Sequence, residues 1–144
     1  MKNNKFKNST LVCVTDQKRC EELITAGKRI SDKYDTDLYV INVNNFYQYG
    51  KKQDPEALEY LYNISKDNGA MMSVIYDEEF LDVMEKSIKK YTGIHVITGM
   101  PESENSILTE LWKRIDTVDY YMVDSSGKTV KVGSAIDYKV KSKN

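Results

Sequence analysis

The sequence predicts an open, doubly wound α/β domain with five parallel strands and helices on both faces of the sheet. Five short apolar runs, rich in β-branched residues, alternate with four segments whose apolar residues recur at helical spacing. No hairpin turn joins consecutive runs, so each connection is a helical crossover between parallel strands. The runs also show little polar alternation, which is typical of strands covered on both faces.

The first strand–helix–strand unit begins at the first apolar run. Thr10–Val14 is the first predicted strand, an amphipathic helix follows, and Leu38–Val43 is the second strand. The apolar face of the helix consists of Cys20, Leu23, Ile24, Gly27, Ile30, Ser31 and Tyr34. Because Gly27 lies in this face, we expect the helix and the sheet to approach closely there.

Two further helices flank the third strand, Met71–Tyr76. Asp54-Pro55 starts the first of them, because Asp is a favourable N-cap and Pro a favourable first helical residue, and Asn68-Gly69 ends it. Asp77 is the predicted cap of the other helix. The apolar faces are Ala57, Leu58, Leu61 and Ile64 in the first helix, and Phe80, Val83, Met84, Ser87, Ile88 and Tyr91 in the second.

The stretch from Ile94 to Ile115 predicts the position of a site. An apolar run containing Ile94, Val96 and Ile97 forms the fourth strand, which breaks at Gly99-Met100-Pro101. A helix follows, capped by Ser103 or Asn105, with Ile107, Leu108, Leu111 and Ile115 on its apolar face, and Tyr120–Val123 is the fifth strand. Ligands of α/β sheets bind at the carboxyl ends of strands, so we expect a site after the fourth strand.

Charge divides the chain into a domain, residues 8–124, and a basic arm or tail, residues 125–144. The domain carries a net charge of −8 and the arm +4. An acidic body repels a phosphate backbone, so we expect no nucleic-acid binding. No apolar run approaches the roughly 20 residues of a membrane helix, which predicts a cytoplasmic protein with no membrane contact. In the arm, Ser125-Ser126-Gly127 is a turn signal, and Thr129–Val132 with Ala135–Val140 forms a predicted hairpin or is disordered.

Residues that carry catalysis or bind metals are scarce. The chain has two cysteines, Cys13 and Cys20, which we interpret as small buried residues, and one histidine, His95, within a strand. A single histidine cannot build a zinc site with these cysteines, and we interpret it as a packed or partly exposed strand residue. We therefore predict no catalytic residue, no metal site and no enzymatic activity.

Two segments resemble the universal stress protein superfamily. LVCVTDQKRCEELITAGKRISDKYDTDLYVINV is similar to its opening unit, and VIYDEEFLDVMEKSIKKYTGIHVITGM to its third strand, third helix and fourth strand. The branch that the chain most resembles is the universal-stress-like domain of potassium-sensor kinases. The resemblance covers about residues 9–124. It implies a sheet order of 3-2-1-4-5, a role in stress response or signalling, and a homodimer that forms through the fifth strand or its tail.

The resemblance also implies a nucleotide site. ATP-binding members have an acidic residue closing the first strand and a G-x2-G-x9-G-[ST] loop after the fourth. Carried over, Thr15 or Asp16 lies near the adenine or ribose, Val43 lines the base pocket, and Gly99 matches the first loop glycine. The complete candidate set for an adenine nucleotide is Thr15, Asp16, Gln17, Val43, Asn44, Thr98, Gly99, Met100, Ser103 and Ser106.

The loop after Gly99 departs from that pattern. Glu102 stands at the second glycine position, no Gly-Ser or Gly-Thr pair follows, and Pro101 removes one backbone N–H. The carboxylates of Glu102 and Glu104 oppose a triphosphate, since two like unit charges about 4 Å apart repel by roughly 4 kcal/mol at an effective dielectric near 20. We therefore predict a regulatory or binding domain with a degenerate nucleotide pocket, weak or absent ATP binding, and a protein partner in signalling.

One alternative class of protein and several alternative residue roles stay open at this point. In a receiver-like phosphoacceptor domain, Asp77 would accept the phosphoryl group with Mg²⁺ bound nearby, and Asp16 and Thr98 would end neighbouring strands. That chemistry also needs a second acid beside the first and a lysine after the fifth strand, where this chain has Thr15 and Asp124. Individual residues have structural alternatives too: Asp16 is equally a helix cap, and Gly99 a turn glycine.

Overall fold

The computed structural model describes residues 7–14, 20–44, 55–76, 79–99, 107–124 and 126–133. Within these residues, strands and helices alternate as predicted, and the predicted strand bounds differ from the observed ones by at most two residues. The elements in chain order are β1 (Ser9–Val14), α1 (Cys20–Tyr34), β2 (Asp37–Asn44), α2 (Pro55–Asp67), β3 (Met71–Tyr76), α3 (Phe80–Tyr91), β4 (Gly93–Gly99), α4 (Ile107–Arg114), β5 (Asp119–Val123) and β6 (Thr129–Gly133).

The strands form one mixed sheet in the order β3-β2-β1-β4-β5-β6. The first five strands are parallel, and β6 pairs with β5 in the antiparallel direction. The predicted order 3-2-1-4-5 is confirmed, and the first strand of the predicted arm, β6, extends the sheet by one strand. Its predicted hairpin partner, Ala135–Val140, lies outside the described residues.

A tight turn at Asp124 returns the chain from β5 to β6. One carboxylate oxygen of Asp124 accepts hydrogen bonds from the Ser126 hydroxyl at 2.7 Å and from the backbone N–H groups of Ser126 and Lys128, each at 2.9 Å. These bonds lower the pKa of Asp124, since they favour the ionised carboxylate. Gly127, at φ 85°, supplies the left-handed conformation of the turn. Together they fix β6 in an antiparallel direction.

Both faces of the central strands are buried, as the lack of polar alternation predicted, whereas the edge strand β3 is only partly buried. α1 and α2 cover one face, where Val12, Ile97 and Leu61 belong to one core cluster. α3 and α4 cover the other face, where Leu11 and Leu111 belong to a second cluster. The two cysteines are buried, also as predicted, and Cys13 and Cys20 lie in opposite clusters.

Gly27 marks the close contact of α1 with the sheet. A Cβ atom at this position would lie 2.4 Å from Cγ2 of Val12 and 3.1 Å from Cδ1 of Leu38. Real Cβ atoms essentially never approach a neighbour within 3.0 Å. The predicted close approach is therefore confirmed, and its cause is the seating of α1 directly over β1 and β2.

The helix ends match the predictions at α2 but not at α3. α2 begins at Pro55 and is followed by Gly69 at φ 70°, as Asn68-Gly69 predicted. The prediction of Asp77 as the cap of α3 is wrong, because Glu79 occupies the N-cap position and makes no side-chain cap hydrogen bond. The helix starts at Phe80, the first residue of its apolar face, which packs against the core. Packing, rather than a capping side chain, therefore sets this helix start.

Two other features of the helices bear on the predictions. Tyr34, predicted on the buried face of α1, is 48% exposed at the end of that helix. Among the helices of the described ranges, none is long and apolar enough to cross a membrane. The capping candidates Asp54, Ser103 and Asn105 lie outside the described residues.

Candidate functional site at the carboxyl ends of β1 and β4

The connections of the sheet change direction between β1 and β4. From β1 the chain moves outward to β2 and β3, and it then crosses to β4 and moves outward the other way to β5. The helix that follows β1 packs on one face, and the helix that follows β4 packs on the other. Such a switch point opens a crevice at the carboxyl ends of its two strands, where doubly wound proteins bind ligands. The candidate site lies at this edge.

Four of the ten candidate residues are described, and all four lie at this edge. Val43 and Asn44 end β2, and Thr98 and Gly99 end β4. The side chain of Val43 is only 2% exposed and packs in the core beneath α3 and α4, so its predicted contact with an adenine stays a prediction. The other six candidates lie outside the described residues: Thr15, Asp16, Gln17, Met100, Ser103 and Ser106.

Gly99 is the last residue of β4 rather than a turn glycine. Its φ lies outside the left-handed region, which only Gly69 and Gly127 adopt among the described glycines. A Cβ atom on Gly99 would meet only Cδ2 of Leu23, at 4.0 Å, among the described residues. Neither backbone conformation nor packing against the described residues therefore requires glycine here. What the glycine provides is a backbone that a ligand can approach closely.

Asn42 is a residue of this edge that the sequence interpretation did not identify. Its side chain is fully buried, and its amide nitrogen donates a 2.8 Å hydrogen bond to the carbonyl oxygen of Val14, the last residue of β1. The bond fixes the point from which the chain leaves β1 toward Thr15. A polar residue inside the apolar run LYVINV was the signal that could have identified it.

The receiver-like interpretation lacks support from the described residues. Its chemistry needs a lysine after the fifth strand, but that position holds Asp124, whose carboxylate is bonded within the β5–β6 turn. Asp16 and Asp77 lie outside the described ranges. In the part of the chain that the structure describes, no group of three His, Cys, Asp or Glu side chains could hold a metal ion.

These features define a doubly wound α/β protein whose candidate ligand site lies at the switch point between β1 and β4. No protein-family model matches the chain, and no curated protein matches it in sequence. Solved structures of universal stress proteins share its fold. One from Archaeoglobus fulgidus is 14% identical with a TM-score of 0.58, covering 83% of this chain and 93% of that one.

Two further solved structures agree with that similarity. A universal stress family protein from Burkholderia pseudomallei is 10% identical with a TM-score of 0.57, covering 85% of this chain and 98% of that one. The Archaeoglobus fulgidus universal stress protein in complex with dAMP is 14% identical with a TM-score of 0.56, covering 83% and 98%. At these identities the comparisons establish the fold: this chain has the α/β fold of universal stress proteins.

Proposed function

We propose that this chain is a universal-stress-type regulatory or binding domain, without catalytic activity, that holds an adenine nucleotide weakly. The observation that carries the proposal is the switch point, where β1 and β4 end side by side and β4 ends in Gly99. The dAMP complex of a protein with the same fold supports an adenine nucleotide as the ligand class. The role in signalling and the kinship with potassium-sensor kinases belong to the same proposal.

The charge near the proposed site favours a nucleoside monophosphate over a triphosphate. Glu102 and Glu104 follow Gly99 closely in the chain, in the segment where universal stress proteins of the ATP-binding type have a glycine-rich loop. Each added phosphate brings more negative charge toward these carboxylates, and Pro101 offers no N–H to it. The proposed pocket is therefore degenerate toward ATP, with AMP as its better ligand.

The proposed signalling role requires a partner surface. We propose a homodimer and a protein partner, and β6 restricts how the dimer forms. Because β6 pairs with β5 along its outer edge, that edge of β5 offers no free hydrogen-bonding groups to a second subunit. In the proposed dimer, the contact therefore uses the outer edge of β6 or the residues that follow it.

Calorimetric titration and thermal shift with AMP and ATP, each with and without Mg²⁺, test the proposed ligand. Without Mg²⁺, we expect AMP to bind at least tenfold more tightly than ATP, and Mg²⁺ to narrow that difference. At a ligand concentration ten times the Kd, AMP should stabilise the folded state by about 1.4 kcal/mol. Tighter binding of ATP than of AMP without Mg²⁺ would contradict the proposal, and so would the absence of any shift with adenine nucleotides.

Three glutamate-to-glutamine variants test whether charge after Gly99 controls nucleotide affinity, and one of them is the control. Glu102→Gln and Glu104→Gln should each strengthen ATP binding more than AMP binding, since each removes one like charge. Glu110→Gln, on the exposed surface of α4, removes the same charge without that effect. Equal responses of all three variants would show that bulk charge, and not the segment after Gly99, controls the affinity. A shift with beryllofluoride and Mg²⁺ alone would instead favour the receiver-like alternative.

The Gly99→Ala variant should weaken AMP binding with little change in the free energy of unfolding. In Gly99→Ala the new Cβ meets Leu23 at 4.0 Å, an ordinary contact, so we expect the free energy of unfolding to change by no more than about 0.5 kcal/mol. We expect AMP binding to weaken about tenfold or more, because the backbone of Gly99 is proposed to lie against the ligand. Calorimetry and urea unfolding measure the two effects.

Gly69→Ala is the matched control for Gly99→Ala. Gly69 has φ 70°, and no atom lies within 4 Å of the position that a Cβ would take there, so alanine costs about 1 kcal/mol of stability through backbone strain alone. Gly69 lies between the end of α2 and the start of β3, away from the carboxyl ends of the strands. We therefore expect AMP binding to be unchanged in Gly69→Ala. Unchanged binding in Gly99→Ala, together with normal stability, would remove Gly99 from the site.

A further inference from the structure

His95 is a buried histidine at the opposite, amino-terminal end of the sheet. It lies in β4 between Thr10 of β1 and Asp119 of β5 and is 4% exposed. Neither of its ring nitrogens has a hydrogen-bond partner among the described residues. Buried polar groups are nearly always hydrogen-bonded, so an exception of this kind requires an explanation.

The carboxylate of Asp119 lies close to both His95 and Lys131 of β6. Oδ2 of Asp119 lies 4.0 Å from Nδ1 of His95 and 3.5 Å from Nζ of Lys131. Lys131 belongs to β6, whereas Asp119 belongs to β5. One carboxylate oxygen therefore stands between an imidazole, which binds a proton near neutral pH, and the ammonium group that joins β6 to the sheet.

The remaining surroundings of His95 are aromatic or uncharged. The Tyr34 ring, at the end of α1, lies 4.7 Å from the imidazole, and the Tyr121 ring of β5 lies 5.7 Å away. Thr10, from β1, has its hydroxyl 2.6 Å from that of Thr36. Charged groups at this end also include Lys33, 5.3 Å from the Tyr34 ring centre, and Lys7, which pairs with Asp35 and Asp37.

We propose that His95, Asp119 and Lys131 form a proton-responsive contact that controls the attachment of β6 to β5. When the imidazole binds a proton from solvent, it takes over the Asp119 carboxylate, the Lys131 ammonium moves away, and β6 detaches more readily. No covalent bond other than the N–H bond of the imidazolium forms, and detachment opens the backbone hydrogen bonds between β5 and β6. The contact lies at the edge opposite to the proposed nucleotide site. The proposed contact is therefore tested independently of nucleotide binding.

The charges around the imidazole give this coupling its direction. Burial lowers the pKa of His95, Asp119 raises it, and Lys131 lowers it. Removing Lys131 therefore raises the pKa of His95, and by linkage the protonated imidazole favours the state in which Lys131 is away. The pKa of His95 is therefore lower with β6 attached than with β6 detached. Above the pKa of the detached state the attachment of β6 has its full strength, and it weakens as the pH falls through that pKa.

The side-chain contacts of β6 explain why this strand would respond to protonation of His95. Its side-chain contacts within the described residues include the Lys131–Asp119 pair with β5, a 3.5 Å hydrogen bond from Arg29 of α1 to Thr129, and the packing of the partly buried Val132. The Tyr34 ring that lies against His95 is itself 48% exposed, so rotation of this side chain admits a proton. In addition to the backbone pairing with β5 and the turn at Asp124, β6 is thus held by side-chain contacts of which one depends on the proton.

Nuclear magnetic resonance of the whole chain tests the proposal. His95 is the only histidine, so its imidazole signal needs no assignment. Between pH 8 and 5 we expect the imidazole titration and the hydrogen exchange of the β6 amides, corrected for its intrinsic pH dependence, to share one midpoint. The imidazole pKa in Lys131→Met stands for the value in the detached state. For each unit by which it exceeds the wild-type pKa, the hydrogen exchange of β6 in the wild type should rise about tenfold between pH 8 and 5.

Three variants decide the outcome. Lys131→Met should raise the imidazole pKa and abolish the pH response of β6, whereas Lys128→Met, an exposed lysine next to the same strand, should change neither. His95→Gln should keep β6 protected at pH 5. The proposal is overturned if the imidazole titrates while β6 protection stays constant, or if β6 in His95→Gln responds as in the wild type. Should His95→Gln fail to fold, the exposed-site variant Lys131→Met decides alone.

Discussion

Replacing Ile97 with alanine is expected to lower the free energy of unfolding by about 2–5 kcal/mol. Ile97 is fully buried in β4, one of the two central strands of the sheet. Its Cδ1 atom lies 3.4 Å from the position that a Cβ would take on Gly27. Truncation therefore leaves a cavity between α1 and the sheet, at a point where the helix already sits as close as glycine allows. Urea unfolding followed by circular dichroism measures the loss.

Val130→Ala serves as the control for this prediction. Val130 is also an aliphatic strand residue, but it lies in β6 and is 38% exposed. We expect a change of no more than about 0.5 kcal/mol there. An Ile97→Ala loss below about 1 kcal/mol would contradict the tight packing of α1 on β4, because truncation of a fully buried isoleucine to alanine in a close-packed core costs about 2–5 kcal/mol.

Local sequence patterns were sufficient to predict the elements, because those patterns have local physical causes. The 3.6-residue period identified α1, and a glycine in its buried face correctly predicted the close approach at Gly27. The apolar runs identified the strands within two residues. The order of the strands came from the family resemblance instead, since a hydrophobic run shows that a segment is a strand but not which strand lies next to it.

The predictions that failed or were missing concern contacts between distant residues. The cap of α3 was assigned to Asp77 from local preference, whereas Glu79 is the N-cap and the helix starts at Phe80, which packs on the core. His95 was correctly predicted to be packed, but its approach to Asp119 and Lys131 follows from the register of three strands. No local pattern contains that information, because these residues are far apart in the sequence.

The strand order places a switch point between β1 and β4, whereas the residues that form a site there stay a prediction. A strand end followed by glycine indicated the carboxyl edge of β4, and the structure has Thr98 and Gly99 there. The buried amide of Asn42, which holds the end of β1, was hidden within an apolar run. Thr15, Asp16, Gln17 and the segment from Met100 to Ser106 stay predictions, since they lie outside the described residues.

Gly27→Ala is expected to destabilise the fold although alanine is the better helix former. In an unconstrained helix interior the change stabilises by about 1 kcal/mol. Here the new Cβ would lie 2.4 Å from Cγ2 of Val12, a fully buried, β-branched side chain with little rotamer freedom. Overpacking of this kind costs about 1–3 kcal/mol. After the gain of about 1 kcal/mol in helix propensity is subtracted, the net effect should be a loss of up to about 2 kcal/mol.

A double-mutant cycle with Val12→Ala tests the cause of that loss. Val12→Ala removes Cγ2 and with it the clash, so Gly27→Ala should become neutral or stabilising in that background. The coupling between the two changes should fall within the range of about 0.5–3 kcal/mol seen for residues in contact. If Gly27→Ala were equally destabilising with Val12 present and absent, the clash would not be its cause. The helix would then be held at its distance from β1 by other contacts, such as that with Leu38.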